Sequence, residues 1–286
     1  MKKTTKKPGK ITASGKRSLR ILFSCIGRRV SLLKAFQRAG RQLNLNVTCY
    51  GTDINAASPA LQLCDRMCLV RPASHRQYIS DLMTLVKDHG IDLLIPTVDL
   101  DLKRLALRRQ QFADLGCHVL VSRPSVIDLC QDKRKTYDFL IRHGFDTPIT
   151  LSARSLLQTR SRRAPGYPCY IKPWDGYAGR FNVLVENRRE LEFYARRIPH
   201  ALCQAFIKGD EYTCDVYVDR QSRVRCAVPR LRMEVRAGEV SKARVVKDGV
   251  QLSPEVEFTL PGTTAYFWAW LDAPPASASP RPCGGK

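Results

Sequence analysis

A chain of 286 residues with 44% apolar content has room for two domains with ordinary cores. No apolar run is long enough to span a bilayer and the first residues hold no apolar signal stretch, so the expected compartment is the cytoplasm. The formal net charge of +22 suits an anionic ligand such as a nucleotide.

Eleven cysteines are scattered through the chain, and the one close pair, Cys64 and Cys68, has no companion pair or histidine cluster. A zinc site and a disulfide framework are therefore not expected, and the metal ligands stay unassigned. Residues 1–18 form a basic, Gly/Pro-punctuated leader that reads as disordered. Eight lysines and arginines with no acid among residues 1–20 would contact nucleic acid only non-specifically, since no aromatic residues are interleaved with them.

Residues 19–127 alternate strand and helix. Leu19 to Ile26 reads as a buried parallel strand ending at Gly27, followed by a helix from Arg28 that is expected to stop at Gly40. A strand from Leu45 to Tyr50 runs into Gly51-Thr52-Asp53, and a short one lies at Arg66 to Val70. A helix after Ser74, with Tyr78, Leu82, Leu85 and Val86 on its core face, closes at Gly90. The strand Ile91 to Pro96, one helix from Leu100 to Leu115 and the strand Cys117 to Val121 complete an α/β, doubly wound parallel sheet. Ligands of such sheets gather at the carboxyl ends of the strands, where Arg28, Asp53 and Asp99 are the candidate substrate residues. Equally, Arg28 can be a solvated charge and Asp99 a helix cap.

Residues 128–248 make the second domain. Helices are expected at Ser125 to Cys130 and from Asp132 to His143, then an arginine-rich loop from Ser152 to Arg163. The strand ending Ile171-Lys172-Pro173 meets a glycine-bearing turn, Trp174 to Gly179, and a strand from Phe181 to Val185. A lysine at a strand end beside such a loop can hold polyphosphate, although a lysine beside a plain hairpin has the same sequence. Asn187 and Glu190 open a capped helix, Leu202 to Ile207 is an apolar strand, and Lys208-Gly209-Asp210-Glu211 turns into an alternating strand reaching Asp219.

In this order, the segments SCIGRRVSLLKAF, LLIPTVDLDL, DKRKTYDFLIRHGFDTP, YIKPWDGYAG, QAFIKGDEYTCDVYVD and VPRLRMEVRAGEVSKARVVKD resemble the ATP-grasp superfamily, in particular proteins similar to the carbamoyl-phosphate synthase large subunit. The resemblance implies a pre-ATP-grasp domain followed by an α+β ATP-grasp domain that binds ATP. The implied chemistry is carboxylate–amine ligation through an acyl phosphate, on a small carboxylate substrate that residue types do not specify. It places Lys133 and Lys172 on the phosphates and Asp175, Gly176 and Gly179 in a mobile lid. Gln204, Ala205, Phe206 and Ile207 form the adenine hinge, and Glu211 holds the ribose. Arg230, Arg232 and Arg236 face the acyl phosphate. At even spacing these three arginines also read as one exposed strand face.

The family pattern is broken at two places. Ala205 stands where the hinge carries a glutamate, and the lid has fewer glycines and serines than usual. Past Lys247-Asp248, residues 249–286 lack the Glu-x-Asn stretch that holds Mg²⁺ in similar proteins, and read as a poorly ordered tail, either a truncated or frameshifted end or a divergent domain edge. A nucleotide-binding fold without turnover is thus the alternative to an active ligase.

Overall fold

A computed structural model describes residues 17–158, 164–176, 179, 181–218, 223–236, 239–246 and 264–269, with residues 236, 239 and 264–269 described by their backbone alone. The chain divides into two units, Met1–Pro124 and Ser125–Lys286.

In the first unit the apolar run of β1 (Ser18–Ser24) is buried along its second half, as befits a central parallel strand. It leads through α1 (Val30–Gln42) to β2 (Asn46–Asp53), a single 3₁₀ turn at Leu61–Leu63, and β3 (Arg66–Leu69). Next come α2 (Tyr78–His89), β4 (Leu93–Pro96), α3 (Asp99–Leu107), α4 (Arg109–Asp114) and β5 (His118–Val119). All five strands are parallel in the order β3-β2-β1-β4-β5, so the order reverses between β1 and β4. Loops leaving the carboxyl ends on either side of that reversal diverge and leave a crevice. Below it, Ile21, Phe23, Ile26, Leu33, Cys49, Leu61 and Ile95 form one core, with the Phe36 ring edge-on to Phe23 at 5.3 Å.

Three expectations for this unit are corrected. Gly40 does not stop α1 but lies inside it, buried, because a Cβ there would come within 2.4 Å of Val47 Cγ2. The glycine lets the helix pack against β2. Gly51, Thr52 and Asp53 belong to β2 and do not follow it, since the ladder with β3 pairs Thr52 with Cys68 and Asp53 with Leu69. The helix expected from Leu100 to Leu115 is two, broken at Arg108, whose amide turns back to the Leu105 and Ala106 carbonyls. At Gly90 the sequence is read correctly, as a left-handed cap with φ 60°.

The second unit starts with α5 (Pro124–Gln131), its proline in the first turn, and α6 (Lys133–Arg142), capped by Asp132, which accepts from the Arg134 amide. β6 (Thr150–Ser152), α7 (Ala153–Gln158), β7 (Cys169–Pro173), β8 (Val183–Val185), α8 (Arg188–Ala195) and β9 (Ala201–Ala205) follow. β6, β9, β7 and β8, in that order, make an antiparallel sheet. At α8 the Asn187 Oδ1 accepts from the Glu190 amide and Glu190 Oε2 accepts from the Glu186 amide, a reciprocal cap of the kind its sequence predicts. α7 is a correction. Its arginine-rich sequence reads as a loop, yet Ala153 and Leu156, one turn apart, are buried against Cys169, Ile171 and Leu191.

A second sheet holds β10 (Glu211–Val218), β11 (Val224–Arg236), β12 (Glu239–Val245) and β13 (Thr264–Ala269), in the order β12-β11-β10-β13. β13 lies inside the segment read as a poorly ordered tail, and it pairs parallel with β10 from Glu211↔Thr264 to Val216↔Ala269. Its TAYFWA run has the aromatic content that favours a strand.

Candidate functional site

β7 and β9 bring Lys172 and Gln204 together. Lys172 follows the fully buried Ile171, so the strand's alternation turns it to the opposite sheet face, where it is only 7% exposed. Its Nζ donates to Gln204 Oε1 at 2.5 Å, Gln204 Nε2 donates to Thr150 Oγ1 at 2.8 Å, and Thr150 Oγ1 donates to the Pro148 carbonyl at 2.8 Å. A neutral amide, itself fixed by a threonine on β6, is thus what holds this ammonium. Burial, then the neighbouring Lys133 charge, push the Lys172 pKa down to about 8, against the opposing pull of Glu211.

Lys133 starts α6. Its Nζ donates to the Gly176 carbonyl at 2.6 Å and reaches the Trp174 carbonyl at 3.5 Å, while its amide donates to the same Trp174 carbonyl at 2.9 Å. Burial lowers its pKa too, with Asp175 and Asp132 opposing. The buried Lys172 thus feels the charge of the half-buried Lys133, and the hydrogen bonds of both ammonium groups go to neutral oxygens. Such an arrangement is short of negative charge.

The glycine-bearing turn begins at a clamp that sequence reading does not find. The Arg134 guanidinium lies 3.5 Å from the Trp174 ring centroid, and the His200 ring stacks on Trp174 at 4.5 Å with 5° between planes. His200 Nδ1 is 3.0 Å from Asp175 Oδ2, and both of these groups are exposed. Gly179 has φ 66°, a value that a Cβ at that position would resist, and residues 177, 178 and 180 of the turn lie outside the described residues. No spacing rule links Arg134, Trp174 and His200, which are far apart in sequence.

Beyond Ala205 the chain leaves β9, and Phe206 and Ile207 are exposed by 37% and 49%, with Tyr170 5.8 Å from the Phe206 ring. Across the second sheet, Glu211 is ion-paired with Arg232, and Arg230 holds Asp215 through Nη2 at 2.9 Å and an Nε contact of 2.7 Å. The expected even spacing fails after Arg232, where the β11–β12 register shifts before Glu234. Arg236 ends β11, and its side chain is outside the described residues.

In the first unit the three candidate substrate residues lie at the carboxyl edge of the sheet, on different footings. Asp53 accepts from the Gly27 amide at 2.9 Å, the Ile54 amide at 2.7 Å and the Asn55 amide at 3.2 Å, so it shapes two loops. Asp99 opens α3 as its first residue and is not the N-cap, which is Val98. Burial raises its pKa against the pull of Arg29, which itself donates to the Thr97 carbonyl. Arg28 is exposed. Below them Asp101, fully buried, accepts at Oδ2 from Ser24 Oγ at 2.7 Å and Tyr78 Oη at 2.8 Å, while Oδ1 has no hydrogen-bond partner among the described residues. Burial raises its pKa despite those donors.

No group of three acidic, histidine or cysteine side chains converges among the described residues, and the acids near the lysines are engaged, Glu211 by Arg232 and Asp175 by His200. Nor is any described helix long and apolar enough to cross a membrane.

Comparison with known proteins agrees with both units. Residues 21–120 match the PylC-like N-terminal domain and residues 130–260 match the ATP-grasp domain. The chain is an ATP-grasp protein, with a parallel-sheet N-terminal domain followed by the α+β ATP-grasp domain. Among curated proteins it is 23% identical over 131 residues to a carbamoyl-phosphate synthase of Methanobrevibacter smithii, covering 44% of this chain and 35% of that protein. It is also 25% identical over 165 residues to a D-alanine–D-alanine ligase of Clostridium beijerinckii, covering 52% and 55% respectively. A solved biotin carboxylase domain of Hydrogenobacter thermophilus 2-oxoglutarate carboxylase, in complex with MgADP, ADP and bicarbonate, superposes with TM-score 0.58 at 16% identity, over 76% of this chain and 51% of that one. Within the ATP-grasp proteins, the chain resembles a carbamoyl-phosphate synthase at low identity. It spans about half the length, or less, of these relatives.

Proposed function

We propose that the second unit binds ATP and that the protein is an ATP-dependent carboxylate–amine ligase. The observation that carries this reading is the pair of charge-deficient lysines, Lys133 and Lys172, at the strand end beside the glycine-bearing turn. A polyphosphate would supply the missing negative charge. Lys172 would then exchange Gln204 for a phosphate oxygen, and Lys133 would exchange the Gly176 carbonyl for another, freeing the lid to close. Exposed Phe206 and Ile207 would cover an adenine whose edge is read by the backbone of residues 204–207. Glu211 would accept from ribose hydroxyls.

In the ligation, a substrate carboxylate oxygen attacks the γ-phosphorus and ADP leaves. An amine then attacks the acyl carbon, and inorganic phosphate leaves. Neither step needs a protein nucleophile, so positioning and charge are the enzyme's contribution. Arg230, Arg232 and Arg236 suit planar acyl-phosphate oxygens better than lysines would, and in the first unit exposed Arg28 suits a carboxylate. The bicarbonate named with the Hydrogenobacter domain makes bicarbonate a first substrate to try, with amino acids beside it.

A second reading, nucleotide binding without turnover, draws on the engaged state of Glu211 and Asp175. One experiment separates the two. ATP is titrated calorimetrically, and ADP release is then followed with Mg²⁺, a carboxylate panel and hydroxylamine, which traps an acyl phosphate as a hydroxamate. Binding with hydroxamate formation is the expected result. Binding alone leaves the second reading, and no binding removes both.

A further inference from the structure

Cys169 on β7 and Cys203 on β9 are both fully buried, and the Cys203 thiol donates to Cys169 Sγ at 2.9 Å. The register explains the meeting. Cys169 pairs with Ala205 and Ile171 with Cys203, so the cysteines are diagonal neighbours on one face of two antiparallel strands. That face packs with Ala153, Leu156 and Leu191, whereas Lys172 and Gln204 meet on the other. β7 and β9 are the two inner strands of their sheet, and both sulfurs are held by the surrounding core.

We propose that Cys169 and Cys203 are a reversible oxidation site that forms a cross-strand disulfide on reaction with hydrogen peroxide. Cys169, deprotonated, attacks one peroxide oxygen and breaks the O–O bond. This gives a sulfenic acid, and hydroxide leaves to take up the Cys169 proton as water. Cys203 then attacks the sulfenic sulfur, forming the S–S bond, breaking the S–O bond and releasing a second water that carries the Cys203 proton. The two thiols are oxidised and one peroxide is reduced to two waters. A thiol reductant reverses the bond by exchange.

The order of attack follows from the hydrogen bond. The S–H of Cys203 stabilises a thiolate at Cys169 and holds its pKa below the ordinary range, while the same bond, then burial, raise that of Cys203. Peroxide is water-sized and reaches the pair through local opening of the sheet. Because a disulfide needs sulfurs about 2.05 Å apart, closing from 2.9 Å moves the strands little. The bond would tie residues 34 positions apart and so restrict the unfolded chain. None of this depends on the nucleotide reading.

The test is peroxide treatment of the full chain, alkylation of remaining thiols and non-reducing tryptic mapping. Cleavage leaves Cys169 in the peptide 164–180, since Lys172 precedes Pro173, and Cys203 in the peptide 198–208. We expect these two peptides linked with loss of two hydrogens, their separation by reductant, and a reversible upward shift of the unfolding midpoint. In Cys203→Ser, whose hydroxyl keeps a donor beside Cys169 but cannot form a disulfide, the sulfenic acid should persist at Cys169 and be trapped by dimedone, without the upward shift. Recovery of both peptides as alkylated thiols from peroxide-treated wild type would overturn the proposal, as would linkage of either peptide to a different cysteine.

Discussion

The first unit buries an acid and the second buries bases, and the difference in how each is satisfied separates a frame from a site. Asp101 is surrounded by donors built into the fold, Ser24 and Tyr78, and burial favours its neutral form, so it asks for no ligand charge. Asp53, nearby, is used up by three backbone amides. Lys172 and Lys133 are surrounded by acceptors with no net charge, on a strand end and a helix start beside a glycine-bearing turn. Asp101 ties β1 to α2, and Asp53 holds the loops at the sheet edge. On the proposed reading, the bases keep a place for an anion.

This contrast can be broken most sharply at Lys172. Lys172→Met should weaken ATP binding by roughly 10–100-fold, the scale of a charge-assisted hydrogen bond, measured by calorimetry. The same variant should be more stable than wild type at pH 7, by on the order of 1–3 kcal/mol, since it removes a buried charge but leaves Gln204 without its donor. The sign follows from the lowered pKa. The folded chain sheds the Lys172 proton at about 8 while the unfolded chain keeps it to 10.5, so the charge costs stability in full below pH 8. That cost fades as pH rises towards 10.5, and the two chains should converge there in urea unfolding curves.

Gly40→Ala probes the frame. A Cβ that meets Val47 at 2.4 Å forces α1 off β2, and we expect a loss of about 1–3 kcal/mol in stability with ATP affinity unchanged. Thr150→Val removes the group that fixes Gln204, and with it the orientation of the Lys172 acceptor. Since ATP is proposed to displace Gln204 from Lys172, a loss of about 1 kcal/mol in stability, the scale of a single neutral hydrogen bond, is expected with ATP affinity not weakened. Asp101→Asn should do the reverse to stability. A raised carboxyl pKa means that ionisation costs stability progressively above pH 3.8, so the variant should melt with wild type in strong acid and above it at pH 7.

The sequence was legible where local chemistry decides. The buried run of β1, the Asn187 cap, the left-handed Gly90 and the strand end at Lys172 are local signals, and each is found as read. It misled where a distant neighbour decides. Gly40 carries the residue type of a helix stop, but its reason is Val47. The helix Ala153–Gln158 hides in a polar stretch because only Ala153 and Leu156 of it are buried, with Leu157 packed beside them. The Lys172–Gln204–Thr150 chain joins strands up to 54 residues apart, and Trp174 meets Arg134 and His200 only after folding. Lys133 and Lys172 as phosphate ligands came from family resemblance, and what the structure adds is that both amines lie close together with neutral partners.

The account is tested most directly by ATP titration calorimetry near pH 8.5 in two buffers of different ionisation enthalpy. At that pH Lys172 is largely neutral in the free protein, and a bound phosphate would restore its proton. ATP binding accompanied by proton uptake, with the uptake lost in Lys172→Met, is the predicted result. Tight ATP binding with no proton uptake, equally strong in the variant, would contradict it.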